Sequence, residues 1–414
     1  MINRHILHIV LIAFFFCTCT AENSTISTVG NELPPPLVPF QHEQLRPISE
    51  VLGVTHVSGR YYFTDKPFMK EGADVINSLG SKVIKLWFTK DMKSSYSYNS
   101  SWPVTMKSLT DLAQTPYMTE LFAMPFKTYV LEATEFASTK WKDGVTAEEA
   151  KKVSDEFYDV SKYLLQTYKN TGKTFILQNW EGDNALVPGN MNEAEIPIAI
   201  QGMIDWLNAR QDGVNRARKE VGMNGVVVAN CVEMNKVLLP VPEDNLVVDV
   251  VVPYTNADLY SLSSWGTRMP GDESKLPAKL NYIASKAPAS ELYGEKNVML
   301  GEFGQYERSC LNGDSDFSDE GSGARQLTSV KNQLEYALEW GVVYALYWEV
   351  YCNGTVQGAT PQPDGTYLNK DLKGVWLIRA NGTKTPVYNY FEDILQTNAN
   401  IKTQVPNTDI YTNR

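Results

Sequence analysis

The sequence has 414 residues, 43% of them apolar and 11% aromatic, so it is long enough to bury a sizeable core. Its formal net charge is -11, from 37 basic and 48 acidic residues, and no long basic stripe is present, which argues against a nucleic-acid partner. Of the four histidines, only His56 lies in the expected folded body, which argues against a Ser-His-Asp triad or a multi-histidine metal site. Acid–base chemistry would therefore fall to carboxylates, Tyr or Lys.

Residues 1–21 are typical of a secretory signal peptide, with a basic start at Arg4, an apolar stretch over 6–16 and small residues toward Ala21. The apolar stretch is too short to span a bilayer. A lipid anchor at Cys17 or Cys19 is a second interpretation, although neither follows a good lipobox. We expect a secreted or cell-surface protein with no transmembrane segment. Four sequons are compatible with glycosylation if the host glycosylates: Asn23, Asn99, Asn353 and Asn381.

Residues 22–46 are predicted to be a linker, because they contain a Ser/Thr stretch and a proline run at 34–36 but no apolar period. Beyond it the chain shows no internal repeat and no second linker. We therefore predict a single folded domain over 47–398, followed by a C-terminal tail over 399–414.

Short apolar runs alternate with helical patterns through this domain. The predicted strands are 51–57, 82–88, 121–126, 174–178, 225–229, 246–252, 297–300 and 342–348. The predicted helices are 70–79, a long helix opened by the capping box of Thr146 and Glu149, and 198–221, 275–285, 324–340 and 387–395. Eight strands alternating with helices predict an α/β fold of the (β/α)8 TIM-barrel type. The join between the fifth and sixth strands, residues 231–245, is short for a helical crossover.

The run 298–304 places Glu302 between Gly301 and Gly304 at the end of an apolar strand. Glycine on either side allows a sharp bend and the close approach of a ligand. A carboxylate at the mouth of a buried strand needs a partner, so either a salt bridge at the sheet end or a functional site would explain it.

Other polar and aromatic residues also follow predicted strands, and in a (β/α)8 barrel these strand ends form the site. The candidates are His56, Lys85, Trp87, Asn179, Trp180, Glu181, Asn230, Tyr254, Trp348 and Glu349. Six of the nine tryptophans follow or end predicted strands on that face, which suits stacking on sugar rings: Trp87, Trp102, Trp141, Trp180, Trp265 and Trp348.

A glutamate ending the fourth strand, another ending the seventh and a tryptophan on the eighth resemble clan A of the glycoside hydrolases. The resemblance spans roughly residues 51–395 as an order of strands. It implies that Glu302, in Gly-Glu-Phe-Gly, is the nucleophile and that Glu181 is the acid/base. The clan pattern has asparagine directly before the acid/base, with a hydrogen bond to the sugar 2-hydroxyl, whereas Trp180 separates Asn179 from Glu181 here.

Further roles follow from the same resemblance. Tyr254 would orient the nucleophile, Trp348 would lie under the sugar next to the cleaved bond, and Lys85 is the basic residue nearest to the arginine usual on the second strand.

The predicted function is retaining hydrolysis of O-glycosidic bonds in a polysaccharide or oligosaccharide. This chemistry needs one neutral and one ionised carboxyl ~5 Å apart and no cofactor or metal. Asp183 and Glu349 are alternatives, Asp183 in particular if Trp180 turns Glu181 away from the cleft. A catalytically inactive carbohydrate-binding barrel is the rival hypothesis, and an esterase or metal hydrolase is disfavoured by the lack of histidines. We expect a monomer whose partner is a carbohydrate.

Three cysteines remain after signal removal. Cys310 and Cys352 follow the seventh and eighth strands, which are neighbours in a barrel, so we predict a disulfide between them. Cys231 is expected to stay a buried thiol.

Overall fold

The structure, a computed structural model, describes residues 40–411 except for 138, 187–190, 240–244, 268–270 and 309–319. Residues 41–411 belong to one compact unit. The predicted signal peptide and most of the predicted linker lie outside the described residues. Among the helices of the described part, none is long and apolar enough to cross a membrane.

Eight parallel strands of the described chain, β2 to β9, close into a barrel in sequence order, with β9 paired to β2. The strands are β1 (Glu43–Pro47), β2 (Leu52–Thr55), β3 (Val83–Phe88), β4 (Thr128–Ala133), β5 (Thr174–Gln178), β6 (Val227–Met234), β7 (Leu259–Ser263), β8 (Val298–Phe303), β9 (Ala345–Tyr347) and β10 (Asn400–Gln404). The prediction of a (β/α)8 barrel is confirmed.

Helices surround this barrel, as the alternating pattern predicts. They are α1 (Phe68–Leu79), α2 (Met92–Ser95), α3 (Leu109–Ala113), α4 (Pro116–Ala123), α5 (Ala147–Thr167), α6 (Gly182–Leu186), α7 (Glu195–Val221), α8 (Val247–Val250), α9 (Leu276–Lys286), α10 (Glu320–Trp340) and α11 (Pro386–Thr397). All six predicted helices are present. The capping box at the start of α5 is formed, because Thr146 Oγ1 accepts from the Glu149 backbone N–H and the Glu149 carboxylate accepts from that of Thr146.

Two of the eight strand predictions are wrong. Most of residues 121–126 lies in or just after α4, whose first turn has a Thr115 cap and Pro116, and the third barrel strand is β4. Residues 246–252 form α8 and the start of a 3-10 turn around Pro253, and the sixth barrel strand is β7. The β-branched run of valines favoured a strand at 246–252, whereas β7 places serines on its inward face and so looks less apolar.

A small two-stranded sheet includes residues from beyond both predicted limits of the domain. β1 pairs antiparallel with β10, from Glu43 opposite Gln404 to Pro47 opposite Asn400. The last four residues of the predicted linker and five residues of the predicted tail are therefore parts of one small sheet.

The barrel pleat brings a polar layer to the interior. Paired residues of adjacent strands share a face, so Trp87, Glu132 and Gln178 lie level around β3, β4 and β5. On the other side Glu233 pairs with Ser261. A register shift between β7 and β8 then sets Ser263 opposite Glu302. The inner layer at the C-terminal end of the barrel is therefore rich in carboxyl groups.

Candidate active site

A cleft of about 540 Å³ opens at the C-terminal ends of the barrel strands. Its walls include Arg60, Trp87, Glu132, Glu135 and Trp180, which follow or end β2 to β5. Its position is the one at which (β/α)8 barrels build their sites.

Glu302 ends β8 with both carboxylate oxygens bound. Lys85 Nζ donates to Oε1 at 2.9 Å, and the indole N–H of Trp265 donates to Oε2 at 3.0 Å. The side chain is 4% exposed. An ammonium and an N–H donor are partners suited to a carboxylate in a buried position.

Lys85 lies at the centre of three carboxyl groups. Its Nζ is 2.9 Å from Glu302 Oε1, 3.5 Å from Glu233 Oε1 and 3.7 Å from Glu132 Oε2. One carboxyl oxygen from each of the three glutamates lies within 4.8 Å of the others. Burial by itself would lower the pKa of Lys85, but the charges of Glu233, Glu302 and Glu132 outweigh it and raise that pKa. The lysine ammonium thus takes the place that a metal ion could occupy among three carboxylates.

Glu233 on β6 joins this cluster to the fourth strand end. Its Oε1 accepts from Gln178 Nε2 at 2.7 Å and from Ser261 Oγ at 3.2 Å, and its Oε2 accepts from the backbone N–H of Glu181 at 2.9 Å. Burial raises the pKa of Glu233 to about 7, against the lowering effect of Lys85. The sequence places Glu233 just after the predicted fifth strand, but it does not predict which groups Glu233 contacts.

Glu181 is buried, and one oxygen of its carboxyl group accepts from Asn184 Nδ2. Burial raises the pKa of Glu181 to about 8, and the nearby charges of Glu302 and Glu233 act in the same direction. The hydrogen bond from Asn184 and the charge of Lys85 oppose that rise without cancelling it. A carboxyl group with this pKa is largely protonated at neutral pH, whereas Glu302 is paired with a cation.

Two more buried glutamates belong to this end of the barrel. Burial raises the pKa of Glu132 and of Glu349 well above the usual range. Glu349 Oε1 accepts from the backbone N–H of Asn353 at 3.0 Å, and Asn353 follows β9. Glu132 was missed by the sequence because the third strand was placed seven residues too early; with the strand at β4, Glu132 ends its inward face.

Three predicted aromatic residues lie at the site. Trp87 and Trp180 line the cleft, and 45% of the Trp180 surface is exposed. The Trp348 ring centroid is 5.9 Å from Lys85 Nζ. These faces are available for stacking on a sugar ring, while Trp102 and Trp141 pack against Tyr117 and Trp206.

Two predicted asparagines turn away from the cleft. Asn179 Oδ1 accepts from the backbone N–H of Glu233 at 3.0 Å, so its side chain ties β5 to β6. Asn230 is fully buried and its Oδ1 accepts from Arg210 Nε of α7, on the opposite face of β6 from Glu233. Successive side chains of a strand point to opposite faces, which explains the outward position of Asn230.

His56 and Tyr254 are also misplaced by the sequence interpretation. His56 is fully buried against Phe68 and Tyr96, its Nε2 is 2.8 Å from the Phe68 carbonyl oxygen, and burial lowers its pKa to about 4. Tyr254 lies in the turn before β7 and is 66% exposed. Tyr254 was expected at the site because the sixth strand was predicted at 246–252. Trp265 follows the observed sixth barrel strand, β7, and makes the contact with Glu302 that was expected of Tyr254.

Asp183, the alternative acid, has a structural role. Its two oxygens accept from the backbone N–H groups of Asn235, Lys236 and Val247 at 2.8–2.9 Å. The carboxyl group thereby fixes the loop after β6 and is not free to protonate a substrate.

The structure gives no support to the predicted disulfide. Cys352 is a free, buried thiol, and Cys310 lies outside the described residues. Cys231 is a free, buried thiol as expected, with its sulfur 3.9 Å from that of Met299. Of the sequon asparagines, Asn99 and Asn381 are exposed.

No protein-family model matches the chain, and no curated protein matches its sequence. Solved structures do match its fold. One is an exo-β-1,4-mannosidase from Opitutaceae bacterium strain TAV5, 11% identical, with a TM-score of 0.51 over 84% of this chain and 59% of that one. A GH5_18 protein from Streptomyces cattleya in complex with GlcNAc is 11% identical, with a TM-score of 0.49 over 84% and 79%. A family 39 glycoside hydrolase from Bacteroides cellulosilyticus WH2 is 12% identical, with a TM-score of 0.48 over 84% and 64%.

The chain therefore spans less than two thirds of the length of the first of these structures. At 11% identity, the likeness to the Opitutaceae structure shows the fold alone, a (β/α)8 barrel.

Proposed function

We propose that this protein is a retaining glycoside hydrolase that cleaves O-glycosidic bonds of a polysaccharide or oligosaccharide. The observation that carries the proposal is the pair of glutamates at the ends of β5 and β8 in opposite electrostatic surroundings. Glu302 is bound by Lys85 and Trp265, whereas the pKa of Glu181 is raised to about 8. One ionised and one protonated carboxyl at the same pH are what glycosidic cleavage requires.

In the first half of the reaction Glu302 attacks the anomeric carbon while Glu181 gives its proton to the leaving oxygen. The product of this half is a covalent glycosyl ester of Glu302 and a free aglycone. In the second half Glu181, now ionised, takes a proton from water, and the water oxygen displaces Glu302 from the anomeric carbon. Direct attack requires a Glu181–Glu302 carboxyl separation of ~5 Å, whereas an inverting enzyme needs ~6.5–9.5 Å.

The surroundings of the pair fit these roles. Lys85 balances the negative charge of Glu302 before attack and the Trp265 N–H holds the second oxygen in place, so the nucleophile is oriented without a tyrosine. Trp87, Trp180 and Trp348 offer aromatic faces to the apolar faces of a sugar. The neighbour from Opitutaceae is named for its action on β-1,4-mannosides, so β-linked hexosides are the first substrates to try.

We further propose that the protein is secreted or held at the cell surface and acts as a monomer without a cofactor. The signal-like residues 1–21 support the location, and hydrolysis by two carboxyl groups requires no cofactor.

A panel of polysaccharides and aryl glycosides, with wild-type protein and Glu302→Gln, tests the proposal. We expect hydrolysis by the wild type, its loss in Glu302→Gln, and sugar binding retained in the variant. Proton NMR of the first product should show the anomeric configuration of the substrate. Inverted product would contradict the mechanism, and sugar binding without hydrolysis by the wild type would favour an inactive carbohydrate-binding barrel.

A further inference from the structure

Glu132 is a buried carboxyl of the cleft wall that the mechanism above does not use. It ends the inward face of β4, is 4% exposed, and lines the cleft. Its Oε2 has no hydrogen-bond partner among the described residues, and its nearest charged neighbour, Lys85 Nζ, is 3.7 Å away. A buried oxygen without a hydrogen bond is costly unless a ligand completes it.

The carboxyl group of Glu132 lies close to that of the proposed nucleophile. A carboxyl oxygen of Glu132 lies within 4.8 Å of one of Glu302. A sugar whose anomeric carbon is held for attack by Glu302 carries its 2-hydroxyl on the adjoining carbon. The 2-hydroxyl is therefore near enough to the anomeric carbon to reach Glu132 while that carbon faces Glu302.

The residue expected to bind the 2-hydroxyl is engaged elsewhere. The resemblance to clan A assigned that hydrogen bond to Asn179, but the Asn179 side chain accepts from the backbone N–H of Glu233 and is 1% exposed. The 2-hydroxyl therefore needs another partner, and Glu132 has an oxygen to offer.

We propose that Glu132 is a further substrate-binding residue, whose free oxygen hydrogen-bonds the 2-hydroxyl of the sugar held against Glu302. This assignment rests on the proposed function and deepens it, because it makes the enzyme dependent on a sugar with a free 2-hydroxyl.

The charges around Glu132 indicate whether Glu132 or the sugar 2-hydroxyl donates the hydrogen bond between them. Burial raises the pKa of Glu132 well above the usual range, and the negative charges of Glu233, Glu302 and Glu181 act in the same direction against Lys85. These effects favour the protonated form of Glu132, which can donate to the sugar hydroxyl. An amide at this position would offer a similar donor, whereas a methyl group would not.

The probes are three 2,4-dinitrophenyl glycosides: the β-D-glucoside, the β-D-mannoside and the corresponding 2-deoxy glycoside. Glucose and mannose differ only at C2, so the same 2-deoxy compound is the reference for both of these parent substrates. In Glu132→Ala we expect kcat/KM to fall by about 100-fold on the better of the two parents and by less than about 3-fold on the 2-deoxy glycoside. In Glu132→Gln we expect kcat/KM on that parent to stay within about 5-fold of wild type, since the amide keeps a donor.

Glu135→Gln is the matched control. Glu135 lines the same cleft, but its two oxygens accept from the indole N–H of Trp206 at 3.1 Å, so its substitution should leave the ratio of parent to 2-deoxy rates at the wild-type value. Melting temperatures show which variants are folded. If Glu132→Ala cannot be purified folded, Glu132→Leu takes its place, since it also lacks a hydrogen-bonding group.

Equal losses on the parent and on the 2-deoxy glycoside would overturn the assignment while leaving the glycosidase intact. Failure of the wild type to hydrolyse any of the three probes would instead overturn the proposed function for β-hexosides, and this assignment with it.

Discussion

Lys85 Nζ lies 2.9 Å from Glu302 Oε1, so this ion pair joins β3 to β8 across the interior of the barrel. The same ammonium donates to the Gly301 carbonyl oxygen at 3.3 Å and faces Glu233 and Glu132. A compact ammonium can face several carboxyl groups at once, whereas a guanidinium is suited to a planar, bidentate pair. The lysine, at the position where the resemblance to clan A implies an arginine, thus faces three glutamates.

We predict that Lys85→Met makes stability strongly dependent on pH. Burial already raises the pKa values of Glu132 and Glu233, and loss of the ammonium removes the charge that lowers them, so both rise further above their unfolded values. Groups with raised folded-state pKa values favour folding at low pH, and that stability is lost as the pH rises through those values. Unfolding by urea should show a loss of about 3–5 kcal/mol near pH 7.5 and a much smaller loss near pH 4.5.

Lys66→Met serves as the control, because Lys66 makes an exposed ion pair with Asp74. It should show little change at either pH. A loss in Lys85→Met that is equal at both pH values would contradict the electrostatic explanation.

Much of the barrel could be predicted from the sequence, because strong helical periods and short apolar runs alternate. The capping box of Thr146 and Glu149 depends only on hydrogen bonds between residues close in sequence, so the sequence predicts it and the folded protein forms it. The strands at 121–126 and 246–252 were wrong because local apolar content does not distinguish a short packed helix from a strand.

The sequence indicates which residues follow a strand, but it does not indicate which strand residues point into the barrel. Glu181 and Glu302 are conspicuous after apolar strands. The inward position of Glu132 and the outward position of Asn230 depend on the register of β4 and β6, which one sequence does not determine. The contact of Trp265 with Glu302 depends on the true position of β7.

We predict that hydrolysis is lost on the alkaline side as the pH rises through about 8. Glu181 must carry a proton in order to protonate the leaving oxygen, and its pKa is raised to about 8. The profile of kcat/KM against pH reports this ionisation in the free enzyme. A profile that stays flat above pH 9 would remove Glu181 from the role of acid.

The position of that alkaline limb should respond to Glu233. The negative charge of Glu233 helps to raise the pKa of Glu181, so Glu233→Gln should move the limb to lower pH. The amide oxygen can still accept from the Glu181 backbone N–H, which keeps the acid in place. A limb that stays put or moves to higher pH would contradict this coupling.

We predict that Trp265→Phe lowers kcat by about 10- to 100-fold, because it removes the N–H donor to Glu302 Oε2 while keeping an aromatic ring. Tyr254→Phe is the informative comparison, since Tyr254 is 66% exposed in the turn before β7. It should keep wild-type kinetics. The opposite result, with Tyr254→Phe impaired and Trp265→Phe active, would restore the sequence-based assignment.

The last prediction concerns the glycine that precedes the nucleophile. A Cβ at position 301 would lie 1.9 Å from Ser261 Oγ and 2.7 Å from Glu233 Oε1, both on inward faces of neighbouring strands. Neither group can move far, because Ser261 Oγ donates to Glu233 and Glu233 also binds Gln178 and Lys85. Gly301→Ala should therefore lower the melting temperature by several degrees and reduce kcat by disturbing both Glu233 and the neighbouring Glu302. Gly266→Ala is the control, since its Cβ would meet only Lys279 Nζ at 3.8 Å among nearby heavy atoms of the described residues. Thermal melts and kinetics of the two variants, measured side by side, check the expectation. A Gly301→Ala protein as stable as Gly266→Ala would show that the interior carboxyl cluster is looser than these contacts require.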